Sequence, residues 1–338
     1  MTSSVAWIIW VIAGSAFFLS TRNPSYLVLG ILSLLFLGHK LAKKQGLQHW
    51  VKFNLRFILM MILLSTLINS LFSKMGQSVL LTLPNQWPLI GGNITLESLV
   101  YGAINGLVIS TLYLIFNVLN LGMNIQNLVR LIPRAFHPIA MTISIALTFF
   151  PSINQRVNQI KEAQLIRGNP MKKLVDWTPI LMPLLVTSLE NAILLSESMT
   201  AKGYHQINDE KSNLYLIGFV LSAFTIFSGW ILQLYQYPIE LSVIMYLIGL
   251  CLIFGMILTI SKNSQFTRYR KEVWKLGDYL ISTMMSLYLV SYILLSLTGD
   301  LYSTAYSPYP LVRIPDLQML GLIFPITLII PIFFYNHD

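Results

Sequence analysis

Long apolar segments separated by short polar ones recur along the whole chain. A lipid core offers no hydrogen-bond partner to the backbone, so only helices and closed barrels cross it. The apolar–polar alternation of a barrel strand does not recur here, and the pattern favours helices. It predicts an all-α integral membrane protein, with a bundle of about eight transmembrane helices at residues 5–19, 26–38, 55–72, 99–121, 214–235, 241–260, 279–297 and 317–334.

Two further apolar stretches, 139–150 and 180–195, are predicted not to cross the bilayer. If both crossed, the basic segment between them, which contains Arg156, Lys161 and Arg167, would lie outside the cell, against the positive-inside rule. The first stretch is also shorter than the roughly 17 residues that a span requires. We therefore expect both stretches to form helices that dip into the inner leaflet or lie along it.

Composition and charge agree with a membrane protein. The chain is 55% hydrophobic and 10% charged, whereas soluble domains carry about 25% charged residues. Its formal net charge of +9 comes from Lys and Arg residues between apolar segments, which orient a membrane protein rather than bind nucleic acid. The segments 39–56 and 261–278 are predicted to be cytoplasmic, together with both termini.

A segment with the pattern of an amphipathic helix follows the first of the two central stretches. Its apolar positions recur at helical spacing after Pro151: Ile153, Val157, Ile160 and Ala163. Gly168, with Pro170 two residues later, is the signature of a helix C-terminus. Arg167 is therefore predicted in the last turn, beside carbonyls that lack partners and carry partial negative charge.

The second central stretch continues into a polar half that ends in the same way, at Ala201-Lys202-Gly203. Arg167 and Lys202 either complement the helix dipoles, an effect of about 0.3–1 kcal/mol, or present a cation at a rigid tip to an acidic groove of a cytoplasmic partner. Two such ends in tandem favour the second interpretation.

The two helix ends resemble a known family. The segments AQLIRG and ESMTAKGY are similar to the paired Ala-Arg-Gly signatures of the transmembrane T component of energy-coupling factor (ECF) transporters, the CbiQ/EcfT family. The likeness extends through TRNPSYLVL, GGNITLESLVYG and RLIPRAFHPIAMTISIALTFFPSINQ, and resumes at FTRYRKEVWKLGDYL. It implies a multi-pass protein of a bacterial or archaeal cell membrane.

The resemblance also implies partners and functional residues. Two cytoplasmic ABC-type ATPases and a membrane S component that binds a vitamin or metal ion would assemble with this chain in the lipid bilayer. The division implied is N-terminal transmembrane helices (1–121), a coupling domain with two long amphipathic cytoplasmic helices (122–213) and C-terminal transmembrane helices (214–338). The residues implied to couple to the ATPases are Ala163, Arg167, Gly168, Ala201, Lys202 and Gly203, supported by Gln164 and Glu197.

The chain departs from the family pattern in two places. Lys202 stands where arginine is usual, which keeps the charge but loses the bidentate guanidinium, so a looser second contact is expected. A hairpin at 214–260 is inserted between the second signature and the basic segment that usually follows it closely.

A self-contained proton-coupled carrier is the alternative function. Glu190 and Glu197 lie seven residues apart on one face of the second helix, where they either bind protons or pair with basic residues at the interface. The sequence contains no G-x-x-x-x-G-K-[ST] loop, no Ser/His/Asp set and no zinc-ligand spacing. We therefore expect a non-enzymatic subunit without a cofactor or a metal site.

Polar residues in the N-terminal half carry two further predictions. The asparagines of the apolar segments either line a substrate path or form interhelical hydrogen bonds, and the second is favoured; they are Asn69, Asn105, Asn117 and Asn120. Thr95 and Glu97 stand where an N-cap and a first-turn carboxylate belong, in a helix that should begin near Leu96.

Overall fold

The computed structural model describes residues 3–83, 92–123, 125–133, 136–168, 177–204, 212–235, 239–263, 274–298, 306–315 and 317–334. The described residues group into two compact units, one within 1–128 and 270–338 and the other within 129–269. Both units are built almost entirely of helices, which confirms the predicted all-α membrane fold. Six helices of the described chain are long and apolar enough to cross a bilayer, and the total of about eight spans stays a prediction.

In chain order the elements are α1 (Ser4–Ser20), α2 (Pro24–Lys44), α3 (Trp50–Phe72), β1 (Val79–Leu83), β2 (Gly92–Thr95), α4 (Leu96–Gly122), α5 (Ile125–Arg130), α6 (His137–Ile166), α7 (Thr178–Ala201), α8 (Ser212–Leu234), α9 (Ile239–Asn263), α10 (Leu276–Thr298), α11 (Met319–Thr327) and α12 (Pro331–Phe334). In the first unit, α4 packs against α1, α2 and α3, α10 packs against α1, and α11 and α12 pack against α2. In the second unit, α6 packs against α7 and α8 against α9.

Aromatic side chains from both ends of the chain form the core of the first unit. Phe17, Tyr26 and Phe324 are buried. The ring centroid of Phe324 lies 4.5 Å from that of Phe17 and 4.0 Å from that of Tyr288. The Tyr26 hydroxyl also accepts a hydrogen bond from the Gln318 backbone N–H at 2.8 Å. These contacts hold the first and last helices of the chain in one body.

The buried carboxylate of Asp278 adds a polar tie to the same body. It accepts hydrogen bonds from the backbone N–H groups of Ser3, at 2.7 Å, and of Lys275, at 3.0 Å. Because a buried carboxylate is stable only when it is hydrogen-bonded, this pair of bonds stabilises the start of α10 against the start of α1.

Helices α3 and α4 pack closely because a glycine lies between them. A Cβ at Gly102 would lie 2.8 Å from the Thr66 Cα and 2.9 Å from the Ser65 carbonyl oxygen. The Ser65 hydroxyl donates a hydrogen bond to the Gly102 carbonyl at 2.8 Å. The Trp50 indole N–H donates to the Asn117 side-chain oxygen at 2.9 Å, which confirms the interhelical hydrogen bond predicted for Asn117.

The predicted start of α4 is confirmed. The helix begins at Leu96, and the Thr95 hydroxyl accepts a hydrogen bond from the Ser98 N–H at 3.3 Å, as an N-cap does. Glu97 is buried in the first turn, where its carboxylate accepts the Ser78 N–H at 3.0 Å. This acceptor stabilises the segment before the helix as well as the helix itself.

A short β-ribbon that was not predicted from the sequence precedes α4. β1 and β2 pair antiparallel, with Leu83 opposite Gly92 and Val79 opposite Thr95. Each strand is too short to show a period of two, and the pairing partner of each lies in the other strand. The ribbon follows from pairing between distant residues rather than from local pattern.

Two predicted spans have different limits in the structure. α2 continues to Lys44 and α3 already begins at Trp50. α2 therefore has 21 residues and extends beyond the predicted bounds 26–38 at both ends. Long basic side chains lie at the C-terminal end of α2 and the N-terminal end of α3. They can reach water while their aliphatic stems remain beside apolar surface, so each helix extends beyond its apolar run.

The last predicted span, 317–334, is not one continuous helix. α11 ends at Thr327, and the N–H groups of Ile329 and Ile330 bond carbonyls three residues earlier, each at 3.1 Å. Pro331 then begins α12. Because a proline disfavours the α conformation in the residue before it and lacks an N–H, the helix is interrupted at this point.

The central helix α6 corrects another prediction. The apolar stretch 139–150 and the amphipathic segment after Pro151 are one helix of 30 residues, which includes Pro151 in its interior. A proline inside a helix removes one backbone hydrogen bond and can bend the helix, but it does not always end it. α7 is also longer than the apolar run 180–195, and by length and hydropathy it is one of the six helices that could cross a bilayer. That neither central helix crosses stays a prediction.

The hairpin predicted at 214–260 is present as α8 and α9. Small residues lie at its seam: a Cβ at Gly249 would lie 2.8 Å from the Thr225 hydroxyl oxygen and 3.2 Å from the Ser222 carbonyl oxygen. Ser222 and Ser242 are buried there. Such close approach is the usual way in which membrane helices pack, because lipid gives little hydrophobic drive for association. The predicted turn between the helices lies partly outside the described residues, at 236–238.

We expect Gly102→Ala to destabilise the first unit. The added methyl group would force α3 and α4 apart, and overpacking of this kind lowers the free energy of unfolding by about 1–3 kcal/mol. Thermal unfolding in detergent, followed by circular dichroism, measures the effect. Gly255→Ala in α9 is the matched control, since nothing lies within 4 Å of a Cβ there. Equal unfolding midpoints for the two variants would contradict the proposed role of Gly102.

Candidate coupling site

Helix α6 exposes most of its surface. None of its 30 residues is buried. A stripe of half-buried positions at spacings of three and four runs along it: Ile145, Phe149, Ser152, Arg156, Ile160 and Gln164. Of the apolar positions identified in the sequence, Val157 and Ile160 are half-buried, whereas Ile153 and Ala163 are exposed. Two of the four therefore lie away from the packed side of the helix.

Helix α7 is similar. In α7, all of which the structure describes, Ile180 is the only buried side chain. The half-buried stripe is again at helical spacing: Leu184, Thr187, Asn191, Leu195 and Met199. α6 and α7 pack against each other. The rest of both surfaces, including many apolar side chains, is left for lipid or for partners.

A cation–π contact joins the second half of α6 to the beginning of α7. The Lys161 ammonium nitrogen lies 4.8 Å from the ring centroid of Trp177, the residue before α7. The contact ties the C-terminal part of α6 to the N-terminal end of α7. Since α7 has 24 residues, its own C-terminal end lies about 36 Å further along the helix axis. The ends of α6 and α7 therefore form two separate sites.

The end of α6 forms the first tip. Arg167 is the C-cap residue, and its N–H donates to the Ala163 carbonyl at 3.2 Å, while the Gly168 N–H donates to the Leu165 carbonyl at 3.0 Å. Gly168 has a φ of 81°, and a Cβ there would meet nothing within 4 Å. The sequence predicted Arg167 in the last turn, but the exposed residue lies one position further, at the C-cap. The glycine is required by backbone conformation rather than by space.

The end of α7 forms the second tip and has a complete Schellman motif. Lys202 is the C-cap. The Gly203 N–H donates to the Thr200 carbonyl and the Tyr204 N–H to the Met199 carbonyl, each at 2.9 Å. Gly203 has a φ of 81°. Its left-handed conformation reverses the chain, ends the helix and leaves Lys202 exposed at the tip.

The two tips differ in their apolar content. At the first tip, Leu165 is 56% and Ile166 is 88% exposed, directly before Arg167. The corresponding positions of the second tip are Thr200 and Ala201. The first tip therefore presents a large apolar surface beside its guanidinium, and the second presents an ammonium on a small base. This difference was not predicted from the sequence, although the residue before each cation, Ile166 or Ala201, indicates it.

The supporting residues have distinct places. Gln164 is half-buried in the stripe that lies on the packed side of α6. Glu197 is exposed near the second tip, where its carbonyl accepts the Thr200 hydroxyl at 2.8 Å. Glu190, seven residues earlier, is also exposed. Both carboxylates therefore lie on the surface of α7 and not in an enclosed cavity.

A family model matches most of the described helices. The model of the CbiQ family, described as a cobalt transport protein, matches residues 2–214. This range contains α1 to α7 and both tips, and it ends two residues after the first residue of α8. Apart from the first three residues of α8, the α8–α9 hairpin lies beyond the match.

Similar proteins carry one description. Over 200 residues the chain is 32% identical to the energy-coupling factor transporter transmembrane protein EcfT of Bacillus selenitireducens, which covers 56% of this chain and 72% of that protein. It is 36% identical over 74 residues to EcfT of Acidaminococcus fermentans and 42% identical over 72 residues to EcfT of Lactobacillus helveticus. Each of these two matches covers 20% of this chain, and the chain spans 28% and 26% of those relatives.

The left-handed glycine at the second tip leads to a test of tip geometry. Gly203→Ala should loosen the Schellman bonds, because a residue with a Cβ pays about 1–2 kcal/mol in this conformation. Amide hydrogen exchange of the segment 199–204 should then accelerate by roughly fivefold to thirtyfold, with α7 itself still helical. Gly203→Asn is the control, since asparagine tolerates the left-handed region and should exchange more slowly than the alanine variant. Identical exchange in all three proteins would show that the glycine does not fix the tip.

Proposed function

This chain belongs to the CbiQ/EcfT family, the transmembrane T components of energy-coupling factor transporters, and we propose that it transmits ATP-driven movement of two cytoplasmic ATPases to a membrane S component. The observation that carries the proposal is the pair of exposed helix ends, each with a cation at the C-cap followed by a glycine of positive φ. Such an end holds a charge at a defined point on a rigid rod.

Each tip enters an acidic groove on one ATPase subunit. The Arg167 guanidinium pairs with a carboxylate through two parallel hydrogen bonds, and the exposed Ile166 fills an apolar part of the same groove. Lys202 makes the second contact as a point charge, so that contact depends less on orientation. The small side chains of Ala163 and Ala201 leave room for the walls of the ATPase groove near each tip. Gly168 and Gly203 end the helices, so that Arg167 and Lys202 lie at the helix ends.

Sparse burial of α6 and α7 suits a transmission element. Ile180 is the one buried side chain of α6 and α7, both of which the structure describes in full. These helices therefore pack mainly against each other and, in the proposed complex, against partners. Movement of the ATPases then shifts the helix pair and reorients the S component, which holds the substrate. A vitamin or a metal ion is the class of substrate that the family supports, and its selectivity resides in the S component.

The alternative, a proton-coupled carrier based on Glu190 and Glu197, gains no support from the geometry. A membrane carrier needs its ionisable pair inside the protein or in a cavity at bilayer depth. Both carboxylates are instead exposed on α7. The family assignment and the two tips favour a coupling subunit that works with partner ATPases.

Arg167→Ala should weaken association with the ATPases without preventing membrane insertion. Removal of one partner of a buried charge pair costs about 2–5 kcal/mol, so affinity should fall at least about 30-fold. Co-purification from membranes and titration of purified ATPases against protein in nanodiscs measure the loss. Arg56→Ala is the matched control, because it removes an exposed arginine from α3, which contributes no residue to either tip. Wild-type affinity in the Arg167 variant would favour simple dipole complementation.

Lys202 should tolerate a change that keeps its charge. Lys202→Arg is expected to retain transport, because the second contact needs a cation, whereas Lys202→Glu should abolish it by repulsion from an acidic groove. Uptake by cells that express all components of the transporter measures both variants, and protein levels in the membrane are the control. Equal uptake by all three proteins would remove Lys202 from the coupling mechanism.

A further inference from the structure

A groove in the first unit lies outside the coupling site. It has a volume of about 510 Å³ and runs along α3 beside α4. Its lining side chains are Met61, Leu64, Ser65, Ile68, Asn69, Phe72, Ser73 and Ile109. Both helices are long and apolar enough to cross the bilayer, so the groove opens at membrane depth. Hydrocarbon or another helix must fill such a space in a membrane, because water is excluded from it.

The length of the groove matches one leaflet. It begins at Met61, the middle of α3, and ends at Ser73, just past the C-terminus of that helix. On α4 it is lined by Ile109, which is also the middle of its helix. Twelve residues of helix correspond to about 18 Å, close to half of the roughly 30 Å hydrocarbon core. A transmembrane helix would follow the whole thickness, whereas an acyl chain occupies one half.

The outer end of the groove carries more polar side chains than its inner end. Near the bilayer centre the lining is Met61, Leu64, Ile68 and Ser65, whose hydroxyl donates to the Gly102 carbonyl. Near the interface, Asn69 and Ser73 lie beside Phe72. This order matches a phospholipid, whose acyl chain is apolar and whose glycerol ester groups accept hydrogen bonds. The half-buried Asn69 amide provides donors at the depth of those esters.

Two cations lie at the polar end. Lys74 follows Ser73 directly and is exposed. The Ser73 hydroxyl lies 3.2 Å from the hydroxyl oxygen of Tyr309, whose ring packs on Tyr101 at 5.6 Å between centroids. The Arg22 guanidinium donates to the Tyr101 hydroxyl and lies 5.4 Å from the centroid of that ring. This chain of contacts places a second positive charge at the same end of the helices.

We propose that the groove binds one anionic phospholipid, with an acyl chain along Met61, Leu64 and Ile68, the glycerol region at Asn69 and Ser73, and the phosphate near Lys74 and Arg22. The bound lipid fills the seam between α3 and α4 on one side of the membrane. This inference does not depend on the coupling function, because no lining residue belongs to α6 or α7.

The test is lipid retention by the full-length protein. Protein purified in mild detergent, incubated with phosphatidylglycerol and examined by native mass spectrometry should carry about one lipid per chain. Ile68→Trp fills the groove and should lower the occupancy about tenfold. Leu67→Trp is the matched control: Leu67 is 57% exposed on α3, does not line the groove and should leave retention unchanged. Equal retention by both variants would overturn the site.

The headgroup preference is measured separately. Lys74→Gln should reduce the preference for phosphatidylglycerol over phosphatidylcholine about fivefold, whereas Lys52→Gln, at the opposite end of α3, should not change it. No preference in the unmodified protein would overturn the anionic assignment.

A photoreactive residue at position 68 identifies the occupant in native membranes. A lipid adduct supports the proposal, and a polypeptide adduct would overturn it in favour of a partner helix.

Discussion

A hydrocarbon core that supplies no hydrogen-bond partner is the constraint on which this structure depends. The polar groups of α3 and α4 accordingly pair across the seam, Trp50 with Asn117 and Ser65 with the Gly102 carbonyl. Glycine allows the backbones to approach closely enough for these short bonds, and dispersion over the close contact replaces the hydrophobic drive that lipid removes. The broad exposed apolar faces of α3, α8 and α9 are normal surface in this environment.

At the C-terminal ends of α6 and α7, the backbone carbonyls no longer have partners within the helix. There the last carbonyls need partners, and a left-handed glycine provides them from the backbone of the following residues. Because the caps are made by backbone bonds, the helices can end without the side chains of Arg167 and Lys202, and both residues are exposed. An exposed cation at a helix end is what the proposed contact with an ATPase requires.

The groove beside α3 and the two helix tips arise in different ways, the tips from local backbone conformation and the groove from packing between helices. Each tip is local, since a C-cap and a positive φ involve only a few neighbouring residues. The groove depends on tertiary packing, since its lining combines residues of α3 with Ile109 of α4, and Gly102 and Gly106 set how closely these two helices approach. A lipid at that gap would complete the packing that the two helices leave unfinished.

The sequence by itself determined the membrane class, the helical composition, the N-cap at Thr95 and the glycine ends of α6 and α7, because hydropathy over a span and cap chemistry are local properties. Tertiary structure decided the rest. Only tertiary contacts paired β1 with β2 and brought Phe17 onto Phe324. These features depend on contacts between residues far apart in the chain, and a local sequence pattern does not predict the free energy of such contacts.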